Sequence, residues 1–233
     1  MKNFCFLLLA LGLAASLGAQ PEHDTWFYGF KAGVTRHQIN DVQTTIIPDV
    51  FAEDTYQTES LPQLGFAGGL FFYHRFYKSR LAVQPEVLFA SRGGDFHYTD
   101  VRDLDYTIRF SYQYVSLGSL VKVYPASGLN FGLGAQVAFN VAPDQLRYTS
   151  NMPELGPDLQ IQQSLREVLS GRNDINLVGQ LGYDFHFGLQ VEARYVLGLS
   201  DVLETRANGF NFIENSNRGG GFQFTLGWLI EFP

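Results

Sequence analysis

Two-residue hydrophobic alternation, connections that alternate long and short, and aromatic residues gathered at one set of segment ends predict an all-β chain. Together they specify an eight-stranded antiparallel up-and-down transmembrane β-barrel with long outer loops and short periplasmic turns. In "LNFGLGAQVAFNV", residues 129 to 141, Leu129, Phe131, Leu133, Ala135, Val137, Phe139 and Val141 share one face. Asn130, Gly132, Gly134, Gln136, Ala138 and Asn140 share the other. A soluble sheet buries such an apolar row, whereas a membrane barrel turns it toward lipid. The architectural alternative is therefore a soluble lipocalin-like barrel, with the apolar rows turned inward around a ligand.

The chain opens "MKNFCFLLLALGLAASLGAQ", with Lys2, an uncharged, mostly apolar run from Phe4 to Leu13, and small residues up to Ala19. That is the pattern of a secretory signal peptide, too short for a membrane anchor. Residues 1–19 are read as the signal and 20–233 as one outer-membrane β-barrel domain. The single cysteine, Cys5, falls inside the signal, so the mature chain is expected to hold no disulfide, thiol nucleophile or cysteine-bound metal. No later stretch reaches the roughly 18 continuous apolar residues of a spanning helix. A membrane-integral chain of this kind satisfies its backbone groups only as a barrel.

Strands are expected over about 25–35, 63–76, 81–92, 111–124, 128–140, 174–183, 187–199 and 219–232. Between them, long connections at about 36–62, 93–110, 141–173 and 200–218 take turns with short ones at 77–80, 125–127 and 184–186. This alternation is the habit of outer-membrane barrels, and a Greek-key sandwich has no reason to keep it. In the seventh strand Phe187, Leu189, Val191, Ala193, Tyr195, Leu197 and Leu199 oppose Gln190, Glu192 and Arg194. In the eighth, Phe222, Phe224, Leu226, Trp228, Ile230 and Phe232 oppose Gln223, Thr225, Gly227, Leu229 and Glu231.

Trp26, Tyr28, Phe76, Phe185, Phe187, Trp228 and Phe232 all fall near the short-turn ends of strands. They read as an interfacial aromatic girdle at headgroup level. The chain carries a formal net charge of −7, and the four long connections hold twice as many acidic as basic residues. Acidic loops without a basic patch argue against nucleic acid as a partner.

"LAVQPEVLFASRGG", "YVSLGSLVKVYP", "LNFGLGAQVAFNV" and "LVGQLGYDFHFGLQVEARYVLGLSDV" resemble the third to seventh strands of PorT-like outer-membrane β-barrel proteins. In that family the fourth strand often reads Ile-Pro where this chain has Leu117-Gly118. The resemblance implies a protein of the Gram-negative outer membrane, and PorT itself is associated with secretion across it. The terminal "WLIEFP" matches, in Phe232, the terminal aromatic that assembly machinery recognises in such barrels; Pro233 is an addition to that pattern.

Eight strands leave an interior that side chains fill, so the inward charges Lys31, Glu86, Lys122, Glu192, Arg194 and Glu231 are expected to pair in the lumen. A proton or ion path through the interior is the functional alternative. Asp95 with His97, and His37 with Asp41, are acid–histidine neighbours of the kind that activate water. In outer loops they are read as solvated polarity, so no enzyme activity, metal site or cofactor is expected. "NRGGGF" (217–222) lacks the Lys-Ser/Thr of a phosphate loop, and its glycines suit a bend or a close strand approach. "PDLQIQQSLREVLSG" places Ile161, Leu165, Val168 and Leu169 on one helical face, with Asp158 to cap its start and Gly171 its end.

The expected role is structural or interactive, through acidic outer loops, with outer-membrane lipid, the barrel assembly machinery and a protein at the outer loops as partners. The alternative role is a secretion-associated or small-ligand-binding barrel.

Overall fold

The computed structural model describes residues 25–42, 56–151, 157–205 and 217–231. The expected signal peptide and Phe232 lie outside them. In chain order the elements are β1 (Thr25–Ile39), β2 (Tyr56–Arg75), β3 (Leu81–Asp100), β4 (Asp105–Val123), β5 (Leu129–Asn140) and β6 (Leu146–Ser150). Next come α1 (Asp158–Val168), β7 (Leu169–Gly171), β8 (Asp174–Asp184), β9 (Leu189–Asp201), β10 (Leu203–Thr205) and β11 (Arg218–Glu231). Among the described residues no helix is long and apolar enough to cross a membrane.

The strand inventory overturns the expected eight-stranded barrel. Eleven strands form among the described residues, nine in one sheet ordered β3-β2-β1-β11-β9-β8-β5-β4-β6 and two, β10 and β7, in a small second sheet. All pairings are antiparallel, and β3 additionally pairs with β4 from Leu81↔Val123 to Thr99↔Asp105. The extra strands come from segments expected to be loops. Residues 146–150 alternate Leu146 and Tyr148 inward with Arg147 and Thr149 outward, and pair with Tyr106–Phe110 of β4. Leu203–Thr205 pairs with Leu169–Gly171.

The second long connection is likewise corrected. Residues expected as a loop over 93–110 continue β3 and β4 into a protruding hairpin, turning at 101–104. Phe96 and Tyr98 on β3 and Tyr106, Ile108 and Phe110 on β4 keep the two-residue phase and pack together, so the ladder outlasts the membrane-type pattern. His97 consequently sits in a strand rather than in a loop, and so does His37, because β1 runs on to Ile39.

At the opposite end the connections are short. Gly128 (φ 76°) and Gly188 (φ 99°) supply the left-handed backbone of two of these turns. A Cβ at Gly188 would stand 2.9 Å from the Leu229 carbonyl oxygen.

Alternation sorts the faces. Leu133 (72 % exposed), Leu226 (58 %) and Val191 (40 %) point away from the sheet's concave side, and Asn130, Gln136, Gln190 and Gln223 are buried within it. A soluble lipocalin-like chain would show the reverse. The interior holds three groups of buried apolar residues. The largest, around Ile39, Phe96, Ile108, Phe110, Tyr112, Leu146, Leu169, Val202 and Leu203, lies at the long-connection end. Ile161 and Leu165 of α1 pack against it. Leu120, Val178 and Val196 form a small middle group, and Phe71, Tyr73, Ala82 and Tyr124 close the short-turn end.

The helix differs from expectation at both ends. Pro157 is the N-cap and no side chain caps it, whereas Asp158 is the first helical residue. Leu169, extended at φ −113° and ψ 133°, ends the helix because it starts the β7 ladder, two residues before Gly171.

Candidate functional site

A charge cluster occupies the polar middle of the interior. Strand phase puts Lys31 of β1, Glu86 of β3, Lys122 of β4 and both Glu192 and Arg194 of β9 on the inward face, all of them buried. These strands are not all neighbours in the sheet, and their side chains meet because the sheet curls round on itself. Four of the five charges stand opposite a glycine in the ladder, which leaves room for a long side chain. Lys31 faces Gly69 and Gly227, Glu86 faces Gly118, Lys122 faces Gly132, and Glu192 faces Gly182.

Glu192 is the hub. Its carboxylate accepts hydrogen bonds from Lys31 Nζ at 2.7 Å, Lys122 Nζ at 2.9 Å, Arg194 Nη2 at 2.9 Å and Thr225 Oγ1 at 3.2 Å. Arg194 also grips Glu86 end-on, with Nη1 at 2.5 Å from Oε1 and Nη2 at 2.9 Å from Oε2. Lys31 Nζ and Gln84 Nε2 each reach Glu86 Oε2 at 3.2 Å. Lys31 Nζ also lies over the Phe71 ring, 4.6 Å from its centroid. Multiple charge-assisted bonds of this kind offset the desolvation of buried ions.

Glu231 does not join the cluster. It has the correct phase but the wrong height: paired with Phe27 at the last described rung of β11, it is exposed at the short-turn rim. Without it, three cations face two carboxylates.

Sequence reasoning missed the polar layers on either side. Toward the long-connection end, Arg92 Nη1 donates to Asn176 Oδ1 at 2.8 Å and Nη2 to Ser116 Oγ at 3.4 Å. Asp174 accepts from Asn176 Nδ2 and, at 2.8 Å, from Ser200 Oγ. His37 is buried, its Nδ1 3.2 Å from the Gly93 carbonyl oxygen. A Cβ at Gly221 would approach the Arg36 carbonyl oxygen to 2.3 Å, so the glycine-rich start of β11 serves a close approach to β1. Toward the short-turn end, the Tyr73 hydroxyl donates to Tyr124 at 2.8 Å and Tyr124 to Asp184 at 2.5 Å. The signal for Arg92 was present, since it shares the even-numbered phase of Glu86 on one strand. Asp174 and Asn176 carry the same parity on β8.

Six of the aromatic residues expected as a girdle are described, and all six are exposed near the short turns. Trp26 stacks on His74 at 4.0 Å, and His74 meets Phe76 edge-on at 4.7 Å. Phe185, Phe187 and Trp228 follow at successive spacings of 5.4 and 6.1 Å, and Tyr28 is exposed nearby. His74 went unnoticed in the sequence because its stacking depends on the register Trp26↔His74.

Beyond the cluster the protruding hairpin carries a cross-strand tyrosine row. Tyr56 and Tyr98 stack at 5.7 Å and Tyr98 and Tyr106 at 4.7 Å, while Tyr106 and Tyr148 meet tilted at 5.5 Å. Burial, reinforced by the neighbouring Tyr98 and Tyr148, pushes the Tyr106 hydroxyl well above the usual tyrosine range. On the other face Arg109 clamps Asp95 through Nε at 2.9 Å and Nη2 at 2.7 Å. His97 Nδ1 lies 3.1 Å from Thr107 Oγ1 and 3.6 Å from the Asp105 carboxylate. Among the described residues no three His, Cys, Asp or Glu side chains gather as a metal-holding group. The Glu86 and Glu192 carboxylates already bind several cationic donors each, so the arrangement pins strands together instead of presenting a free base.

The family described as "Outer membrane protein beta-barrel domain" matches residues 18–204. Among solved structures the chain is similar to neisserial surface protein A, at 12 % identity over 86 % of this chain and 96 % of that one, with TM-score 0.39. OprG from Pseudomonas aeruginosa shares 12 % identity over 90 % of this chain and 98 % of its own, with TM-score 0.43. Ail of Yersinia pestis shares 10 % over 90 % of this chain and 100 % of its own, with TM-score 0.38. No curated protein matches. With the family match spanning most of its length, the chain belongs to the outer membrane protein beta-barrel domain family and is a protein of the outer membrane.

Proposed function

We propose that this outer-membrane protein is a non-catalytic interaction protein whose long-connection end faces the cell exterior and meets a protein partner. The observation that carries this reading is the contrast between its two ends. One ends in short turns. The other builds a packed cap from the β3–β4 hairpin, β6, α1, β7 and β10. That cap leaves large apolar side chains in the open, with Val101 74 % exposed at the hairpin turn and Leu159 70 % exposed on α1. The interior charge cluster is then filling that braces the wall against lipid outside it, with no ion path. The aromatic residues near the short turns form the periplasmic interface girdle, the chain is a PorT-like member of its family, a reading supported by the four quoted strand sequences, and assembly uses the barrel machinery.

The test is site-specific photocrosslinking in intact cells from residues 101 and 159, with residue 78 at a short turn as the control. A discrete adduct from the first two and not from the third is expected. Identical labelling from all three positions would overturn the reading. Planar-bilayer recording of the purified protein is expected to show no steady conductance, and an open channel would remove the filled-interior part. N-terminal sequencing of the mature protein tests the boundary between residues 19 and 20.

A further inference from the structure

Strand β6 belongs to the cap, and part of its outward edge is engaged by a helix. The β4 side uses the odd-numbered residues: Gln145 O accepts from Ser111 N at 2.9 Å, and Asn151 N donates to Asp105 O at 3.0 Å. Even-numbered residues therefore turn their backbone N–H and C=O groups away from β4. An open edge of this kind pairs readily with another strand.

Here the groups are met by three side chains of α1 spaced four residues apart, which one helix face presents in a line. Ser150 N donates to Asp158 Oδ2 at 3.4 Å, and Tyr148 N donates to Gln162 Oε1 at 3.2 Å. Leu146 O accepts from Arg166 Nη2 at 2.9 Å and from Nε at 3.3 Å. The remaining donor on that side, Leu146 N, turns to Asp144 O at 3.0 Å. Along the helix, two acceptors and then a donor meet part of what a paired strand would offer this edge. Yet the helix is lightly held. None of its residues is buried, and its apolar anchorage is Ile161 and Leu165.

We propose that α1 is a displaceable cover for the β6 edge, and that the uncovered edge takes up an extended peptide segment by strand addition. The proposal rests on the long-connection end being the interaction face, and it adds the partner's chemistry: an extended backbone, recognised through main-chain hydrogen bonds.

The experiment uses the full-length mature protein in detergent micelles, as wild type and as D158A/Q162A/R166A. The probe is a labelled synthetic peptide of residues 144–151, "DQLRYTSN", which already has the strand character of β6. Amide exchange at Tyr148 and Ser150 should quicken about tenfold or more in the variant, with the β4 amide of Ile108 unchanged. The peptide should bind the variant and not the wild type, and the same peptide N-methylated at alternate residues should bind neither. Unchanged exchange at Tyr148 and Ser150 would overturn the cover. Faster exchange without peptide binding, or binding that survives N-methylation, would overturn strand addition. Neither result touches photocrosslinking from residues 101 and 159, which tests the interaction face separately.

Discussion

Replacing Glu192 with glutamine keeps the side-chain volume and one acceptor oxygen but removes the charge on which three cations converge. Lys31, Lys122 and Arg194 all lie within 2.9 Å of its carboxylate, and the residue is 2 % exposed. In the variant Lys31 and Arg194 share Glu86 alone, and Lys122 loses the only carboxylate it pairs with among the described residues. Breaking a buried ion pair by removing one partner costs about 3–5 kcal/mol, mostly from the charge left uncompensated. That shifts the folded-to-unfolded ratio by roughly two to three and a half decades.

The same logic predicts an asymmetry. Lys122→Met removes the surplus cation and leaves two positive groups on two carboxylates, so its effect should stay within about 1 kcal/mol of neutral. Combined with Glu192→Gln it should recover part of the loss. The assay is urea unfolding of protein reconstituted in lipid vesicles, followed by the fluorescence of Trp26 and Trp228. Equal destabilisation by the two single variants, or a Glu192→Gln effect below about 1 kcal/mol, would refute the reasoning.

Leu133→Arg, in the middle of the exposed row of β5, should destabilise the vesicle-inserted protein by about 2–4 kcal/mol. Val191→Arg, two residues along β9 from Leu189, which pairs with the girdle residue Trp228, should cost under about 1 kcal/mol in the same unfolding measurement. Because burial raises the Tyr106 pKa, its contribution to stability is complete below the free tyrosine value of about 10 and fades as pH rises beyond it. Tyrosinate absorbance should show a fraction titrating above the free value, and loss of one group from that late phase in Tyr106→Phe checks the assignment. Gly188→Ala forces a Cβ into a backbone with φ 99° and toward the Leu229 carbonyl, so a loss of order 1–3 kcal/mol is expected from the same unfolding curves.

The inward position of Lys31, Glu86, Lys122, Glu192 and Arg194 was readable because a strand alternates strictly, and each sits out of phase with apolar neighbours. Glu231 carried the same phase, but parity says nothing of height along the strand, and its rung lies at the rim. The glycines opposite the charges were visible as residues and silent as partners, since register comes from the pairing of strands distant in sequence. His37 and His97 were assigned to loops because apolar–polar alternation fades toward those strand ends, where polar residues stand on both faces.

Alternation and turn residues along the chain were enough to establish which rows face outward, where the short turns fall and that Lys31, Glu86, Lys122, Glu192 and Arg194 face inward. Those properties follow from a period of two and from local backbone preference, both carried by neighbouring residues. Tertiary structure alone decided that residues 93–110 extend the sheet, that 146–150 become a ninth strand beside β4, and that Asp158, expected as a cap, turns with Gln162 and Arg166 to its edge. A short segment pairs only when a partner edge stands beside it, and that partner is brought there by the whole chain folding.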